Sequence, residues 1–261
     1  MRLENKIAII TGAARGMGES AAVLFAQEGA KVAVVDLKEE DAQATVQTIR
    51  SRGGEAIAIG ADITKTGDVK RIVDRTVKEL GLPNVLFNNA GVDTEGRKSF
   101  LEVAEEDFDR TVEVNLKGTW LMMKHVAPKM IEAGSGAIVN CASIAPFIAV
   151  STIGYTAAKA GVIAMTKVAA VELGCYNIRV NALCPGATET PMAKLERAKM
   201  AARGMKPSSD AINRMSLFGR MAEPIEMARM ALFLASDDSS FATGAQFIND
   251  GGWTSMGLDV H

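Results

Sequence analysis

Short apolar, β-branched runs recur along the chain at 6–10, 31–35, 55–60, 84–87, 136–140, 178–182 and 246–249. Each is too short for a helix, and most read as continuous hydrophobic stretches rather than alternating ones, the mark of strands buried on both faces of a parallel sheet. Between them lie segments with helical periodicity at 18–28, 39–51, 66–80, 105–133, 155–173 and 224–235. Regular alternation of strand and helix predicts an α/β fold with a doubly wound, seven-stranded parallel sheet. A chain of 261 residues is expected to form this as one domain over 1–261.

One stretch breaks the rhythm. Residues 188–220 are polar and methionine-rich, with Met192, Met200, Met205 and Met215, and they stand between the sixth strand and the next core helix. Long insertions in compact domains are usually functional, so this one is expected to form a helical flap over a site, its methionines adapting to an apolar ligand.

Composition narrows the picture. Hydrophobic residues make up 48% and charged residues 23%, which suits a globular chain with a sizeable core. The net charge is −2, from 29 basic and 31 acidic residues spread along the sequence, so no basic face is expected and neither nucleic acid nor membrane is an expected partner. The apolar stretch after Lys6 is only a strand long, and no run approaches the roughly 18 residues of a membrane span. Cys141, Cys175 and Cys184 have neither disulfide nor zinc-ligand spacing and are expected to be buried thiols in a reducing compartment, with cytoplasmic localisation as the default.

The candidate chemistry starts directly after the first strand, at Thr11-Gly12-Ala13-Ala14-Arg15-Gly16-Met17-Gly18. Glycines between a strand and a helix let the backbone approach a pyrophosphate, held by the N–H groups and dipole of the helix start. The loop suits a dinucleotide, although an ordinary glycine-rich turn has the same composition. Asp36 closes the second strand, 18 residues beyond Gly18. A carboxylate there accepts ribose hydroxyls and repels a 2′-phosphate, which favours NAD over NADP, while Arg15 is the residue that would favour the phosphate. Asp62 and Ile63 follow the third strand at the same edge of the sheet, where they can meet an adenine; a helix cap is the other reading of Asp62.

Tyr155 and Lys159 lie four apart at the start of a predicted helix and share one face. An ammonium near a phenol favours the phenolate and would make tyrosine a base for alcohol oxidation, or an acid for ketone reduction. Alone such a pair is ordinary helix decoration. Ser143, at the end of the fifth strand, supports it by placing a hydroxyl at the same edge.

With these residues the chain resembles the short-chain dehydrogenase/reductase family along nearly its whole length. The Thr-Gly-x-x-x-Gly-x-Gly loop stands at Thr11 to Gly18, and the Asn-Asn-Ala-Gly motif at Asn88-Asn89-Ala90-Gly91. Asn115, Ser143, Tyr155 and Lys159 match the catalytic members, Pro185-Gly186 the Pro-Gly motif with Thr188 and Thr190 behind it, and Asp250-Gly251-Gly252 the closing motif. Ser143 stands twelve residues before Tyr155, where thirteen is common in the family, so a shortened substrate loop is expected.

The resemblance implies a Rossmann-type fold and hydride exchange between NAD and a secondary alcohol or its ketone. Tyr155 would be the acid/base, with Lys159 lowering its pKa and binding the nicotinamide ribose. Ser143 would orient the substrate oxygen, and Asn115 would hold a proton-relay water. It also implies cofactor contacts from Gly12, Arg15, Gly16, Met17, Gly18, Asn89, Ala90, Gly91, Pro185, Gly186, Thr188 and Thr190. Bland readings stand beside these: Asn89 bracing the sheet, Pro185-Gly186 a mere turn, Asn115 capping a bend in a long helix.

Ala145, Phe147 and Met192, with neighbouring Ile144, Pro146 and Ile148, are the expected pocket lining and suggest a largely apolar substrate, cyclic ones included, to which Asp93, Glu95 and Arg97 could add polar contacts. No metal is required by this chemistry, and His125 and His261 are read as structural or solvated. Trp120 and Trp253 are read as packing or interface residues. Two other readings are weighed: an NADPH-dependent 3-oxoacyl-acyl-carrier-protein reductase, against which Asp36 speaks, and a nucleotide-sensing scaffold, against which the complete Asn115, Ser143, Tyr155, Lys159 set speaks. Family habit and the small residues Ala157, Ala158, Ala160 and Gly161 imply a homotetramer.

Overall fold

The structure, a computed structural model, describes residues 1–96, 98–202 and 215–256, with the backbone alone at 196, 199, 200 and 202. Arg97, Met205 and His261, and the side chain of Met200, therefore lie outside the described residues.

Seven parallel strands form one sheet in the order β3-β2-β1-β4-β5-β6-β7, from β1 (Ile7–Thr11), β2 (Lys31–Asp36), β3 (Ala56–Gly60), β4 (Val85–Asn88), β5 (Gly136–Cys141), β6 (Ile178–Pro185) and β7 (Gln246–Asn249). The predicted strands fall in place to within one residue at most ends. The exception is β6, which runs three residues further, because Leu183 to Pro185 still pair with β7.

The central strands are apolar on both faces because both are covered. On one face, α1 (Gly16–Gln27), α2 (Glu39–Ser51) and α8 (Pro224–Ala235) pack Ala22, Phe25, Val46 and Leu232 against Ile10, Val34 and Phe87. On the other, Ile72 of α3 (Thr66–Glu79) and Leu121, Met122 and Val126 of α5 (Thr119–Glu132) meet Ile9, Val35, Leu86 and Ile138, with α6 (Ile153–Leu173) beside them. The strand order reverses direction between β1 and β4, and the crevice opened there at the carboxyl ends is where a doubly wound sheet takes its ligand.

The single helix predicted over 105–133 is divided. Its two parts, α4 (Glu105–Val112) and α5, are joined by a π-helical turn, Glu113–Gly118. Such turns carry one extra residue and concentrate at functional sites. Apolar periodicity alone does not reveal it, since α4 buries only Thr111 and so carries no apolar stripe whose phase could be compared with that of α5. The insertion after β6 does form a helix, α7 (Pro191–Ala202). Its base is pinned by a bridge between Thr188 and Ala222 and by the Leu217 N–H bond to the Gly251 carbonyl.

Candidate active site

The glycine loop is built by exclusion of side chains. At Gly12, where φ is +63°, a Cβ would lie 2.8 Å from the Ala90 Cα. At Gly18 a Cβ would collide with the Gly12 carbonyl and the Asn89 amide. Asn89 fastens the loop to β4: its Nδ2 donates to the carbonyls of Thr11 and Gly12, both at 3.0 Å, while the N–H groups of Asn89 and Ala90 donate to Thr11 Oγ1. The bracing reading of Asn89 thus holds for its amide nitrogen. Its Oδ1 is buried and accepts no hydrogen bond from any described residue. Gly16 faces Thr190 and Pro191, so the start of the flap closes on the loop that opens α1.

Asp36 sits at the tip of β2, its two carboxylate oxygens accepting the N–H groups of Ala14 at 2.9 Å and Leu37 at 2.8 Å. Arg15 is drawn away to Asp41, at 3.6 Å. Asp62 is not a helix cap, because α3 follows Lys65; its Oδ1 instead accepts the Thr64 N–H and hydroxyl. Burial works against the Asp62 charge, but the Thr64 bonds and the nearby Arg110 and Lys65 outweigh it and hold the carboxyl below its ordinary range. Ile63 is turned into the core against Gly118, so its side chain does not offer the open stacking face expected for an adenine.

Ser143, Tyr155, Pro185, Gly186, Thr188 and Thr190 converge on one cavity of about 240 Å³ at the carboxyl edge of the sheet. Lys159, one turn below Tyr155, is buried, donates from Nζ to the Cys141 carbonyl at 2.7 Å, and lies 5.5 Å from the Tyr155 ring centre. Burial dominates both groups. It pushes the phenol well above its ordinary range, with Cys141 and Asp93 adding to the shift and a hydrogen bond with Ser143 opposing it. It also pushes the Lys159 ammonium down.

Asn115 lies in the π turn, its Nδ2 donating to the carbonyls of Val92 at 2.6 Å and Thr111 at 2.8 Å. Its buried Oδ1 accepts nothing among the described residues. A Cβ on Gly91 would lie 2.6 Å from that oxygen and 3.3 Å from Lys159 Nζ, so the glycine leaves a small space between an acceptor and an ammonium. Thr188 donates to the Gly186 carbonyl, and Thr190 Oγ1 accepts the Ala193 N–H, starting α7.

Of the expected substrate contacts, Ala145 and Met192 line the cavity. Phe147 does not. The Phe147 N–H bonds the Ile144 carbonyl in a tight turn that throws the ring outward, 41% exposed. Trp253, read from the sequence as a packing or interface residue, lines the cavity, as do Met215, Met221 and Arg197. Arg197 is neutralised by Glu189 at 2.6 Å. Cys175 is exposed, against the expectation of three buried thiols, because it lies in the loop that follows α6. Glu95 is fully buried and bonded to the start of α6, a placement that periodicity could not reveal in a loop.

Comparisons with known proteins show the family to which the chain belongs. A family model described as enoyl-(acyl carrier protein) reductase matches residues 12–254. The chain is 40% identical over 256 residues to cyclohexanol dehydrogenase of Acinetobacter sp. (strain SE19), covering 97% of each chain. It is also 40% identical over 253 residues to a 3-oxoacyl-acyl-carrier-protein reductase of Thermotoga maritima, covering 97% of this chain and 99% of the other. Among solved structures, levodione reductase superposes with a TM-score of 0.91 at 32% identity, over 97% of this chain and 99% of that one. The chain belongs to the short-chain dehydrogenase/reductase family and is an oxidoreductase that binds a nicotinamide cofactor.

Proposed function

We propose that this protein is an NAD-dependent dehydrogenase that interconverts an uncharged, largely apolar secondary alcohol and its ketone. The observation that carries the reading is the convergence of the Tyr155 phenol and the Ser143 hydroxyl on one apolar-walled cavity, with the Lys159 ammonium buried directly behind. Ile144, Ala145, Val150, Met192, Met215, Met221 and Trp253 form much of its wall, and the Arg197 charge in it is already paired, so an anionic substrate finds no free cation there among the described residues.

The residues fit a dinucleotide. Gly12 and Gly18 form a cradle that a Cβ would fill, and the unpartnered Asn89 Oδ1 is an acceptor beside it. When bound, the cofactor supplies the hydride acceptor or donor. Gly12 to Gly18 would hold its phosphates. Asp36, with lone pairs left after its two backbone bonds, would accept ribose hydroxyls, and Asn89, Ala90 and Gly91 would lie on the adenosine side. Asp36 together with the diversion of Arg15 to Asp41 supports NAD over NADP.

Tyr155 takes the alcohol proton in oxidation and returns it in reduction, while Ser143 fixes the substrate oxygen. Lys159 passes the proton onward through a water that Asn115 Oδ1 would hold in the space the two share beside Gly91. The phenol, raised by burial, needs positive charge nearby to act as a base near neutral pH, and the Lys159 ammonium buried behind its ring is the group in this chain that would lower it. All 261 residues act as one domain in a cytoplasmic homotetramer.

The test is absorbance at 340 nm with NAD or NADP and a panel of cyclic and open-chain secondary alcohols, alongside NADPH with a 3-oxoacyl thioester. NADH formation that disappears in Tyr155→Phe supports the reading. Turnover confined to NADPH and the thioester replaces it with the acyl-carrier-protein reductase, which the Thermotoga relative keeps in view.

A further inference from the structure

Glu95 has no role in the site described so far, yet its side chain is completely buried in the loop that follows β4. A buried carboxylate is costly unless each oxygen is hydrogen-bonded. Here Oε2 accepts the Gly154 N–H at 3.1 Å, and Oε1 accepts the Tyr155 N–H at 3.1 Å with the Thr152 hydroxyl at 3.3 Å. These are orphan donors at the start of α6, the helix that carries both Tyr155 and Lys159. Thr152, the residue at the cap position, makes no side-chain bond to the helix N–H groups. Its hydroxyl lies instead against Glu95 and against Asp93, at 3.0 Å.

The sequence is adapted to this carboxylate. Gly154 has no room for a side chain, since a Cβ there would strike Glu95 Oε1 and sit 2.9 Å from the Phe108 ring. Asp93, on the other side of Thr152, lines the substrate cavity. A chain of contacts thus runs from the cavity wall through Asp93, Thr152 and Glu95 to the backbone of Tyr155 itself.

We propose that Glu95 is a positioning residue: its buried carboxylate fixes the first turn of α6 and so sets where the Tyr155 phenol stands in the cavity. The effect works through the backbone of Tyr155, with no contact to substrate or cofactor. This rests on the proposed role of Tyr155 as acid/base. Displacing a reacting group by about 1 Å costs roughly 100-fold in rate, so a loosened first turn is expected to cost turnover far more than cofactor affinity.

The chain has two tyrosines, Tyr155 and Tyr176, so Tyr176→Phe, made at an exposed site that does not line the cavity, leaves Tyr155 as the one reporter. In that background, with tyrosine labelled at ¹³Cζ, Glu95→Gln is expected to shift and broaden the Tyr155 resonance. NADH affinity should stay within about threefold, and oxidation of cyclohexanol by NAD should fall roughly 10- to 100-fold. Gln leaves a donor NH₂ facing a helix N–H, which breaks one bond at nearly constant shape. An unmoved Tyr155 resonance in folded Glu95→Gln overturns the proposal, whether or not cyclohexanol is turned over.

If Glu95→Gln does not fold, the same spectrum is taken on Thr152→Val, which removes only the hydroxyl that orients the carboxylate; a moved resonance supports the proposal and an unmoved one overturns it. Tyr155→Phe is assayed in parallel. Retained turnover in that variant sinks the acid/base reading, whereas its loss beside an unmoved resonance in Glu95→Gln sinks only the role of Glu95.

Discussion

The proposed preference for NAD rests on one side chain, Asp36. Its carboxylate already accepts two backbone N–H groups, which fixes its orientation at the tip of β2 and leaves the remaining lone pairs aimed outward. A hydrogen bond to a charged group contributes about 1.5–3 kcal/mol, which is roughly 10- to 100-fold in affinity. Asp36→Ala is therefore expected to lower kcat/KM for NAD by that factor while that for NADP holds or rises, since repulsion of a 2′-phosphate is gone. Steady-state kinetics with both cofactors check this, and an unchanged ratio would remove Asp36 from the preference. Such residues are legible in sequence because strand ends place them at one edge. Asp36, Ser143 and Pro185 each stand at or just past the carboxyl end of a strand, and Tyr155 and Lys159 share a helix face. Trp253, after β7, and Arg197, in the insertion that follows β6, have no site role in the sequence reading because their return to the cavity depends on tertiary packing, and Glu95, read there as a polar substrate contact, is instead buried against the start of α6. Phe147 was placed in the pocket by its apolar character and left it by a turn that begins at Ile144.

At the scale of elements, one helix start is held by charge rather than by a small polar cap. Glu226 in the first turn of α8 accepts the Glu223 N–H at 2.8 Å and a bidentate pair from Arg220, at 2.7 and 2.8 Å. The Arg220 guanidinium and then the Glu223 N–H hold the Glu226 carboxyl at about 2, against an ordinary 4.5. The folded state thus binds this proton less readily than the unfolded chain, so the stabilisation is present above about pH 4.5 and is lost as pH falls through about 2. Glu226→Gln is expected to lower Tm at pH 6, with the gap from the parent closing as pH falls from 4.5 towards 2. Melting curves across that range check it; a gap independent of pH would assign the effect to shape alone. The bounds of α8 were plain from Pro224 and the apolar period behind it. The π turn holding Asn115 was not, because α4 buries only Thr111 and offers no apolar stripe against which a break in phase before α5 could be read.

For the whole molecule, the question is what covers the outer face of α6. Its inner residues Ala158, Val162 and Thr166 are buried against the sheet, as the alternation of strand and helix required. The opposite stripe is Ala157, Ala160, Ala164, Val168 and Val171, at spacings of three and four, all exposed in the single chain, with Val171 at 83%. Lys167, also exposed, flanks it three residues after Ala164. A solvated helix face normally carries polar residues, and one of small apolar residues lets a second helix approach closely. The occupant best matched to such a stripe is the same stripe of another copy about a two-fold axis, the isologous contact common in closed oligomers. Sedimentation equilibrium is expected to give four times the 27.6 kDa chain mass, and Ala164→Arg, which puts two like charges across that axis, to reduce it to half or less. Tm should then depend on protein concentration in the parent more steeply than in the variant, since assembly stabilises the folded chain by mass action. A parent that sediments at 27.6 kDa would leave the stripe unexplained and sink the tetramer; a variant that keeps the fourfold mass would move the contact to another face.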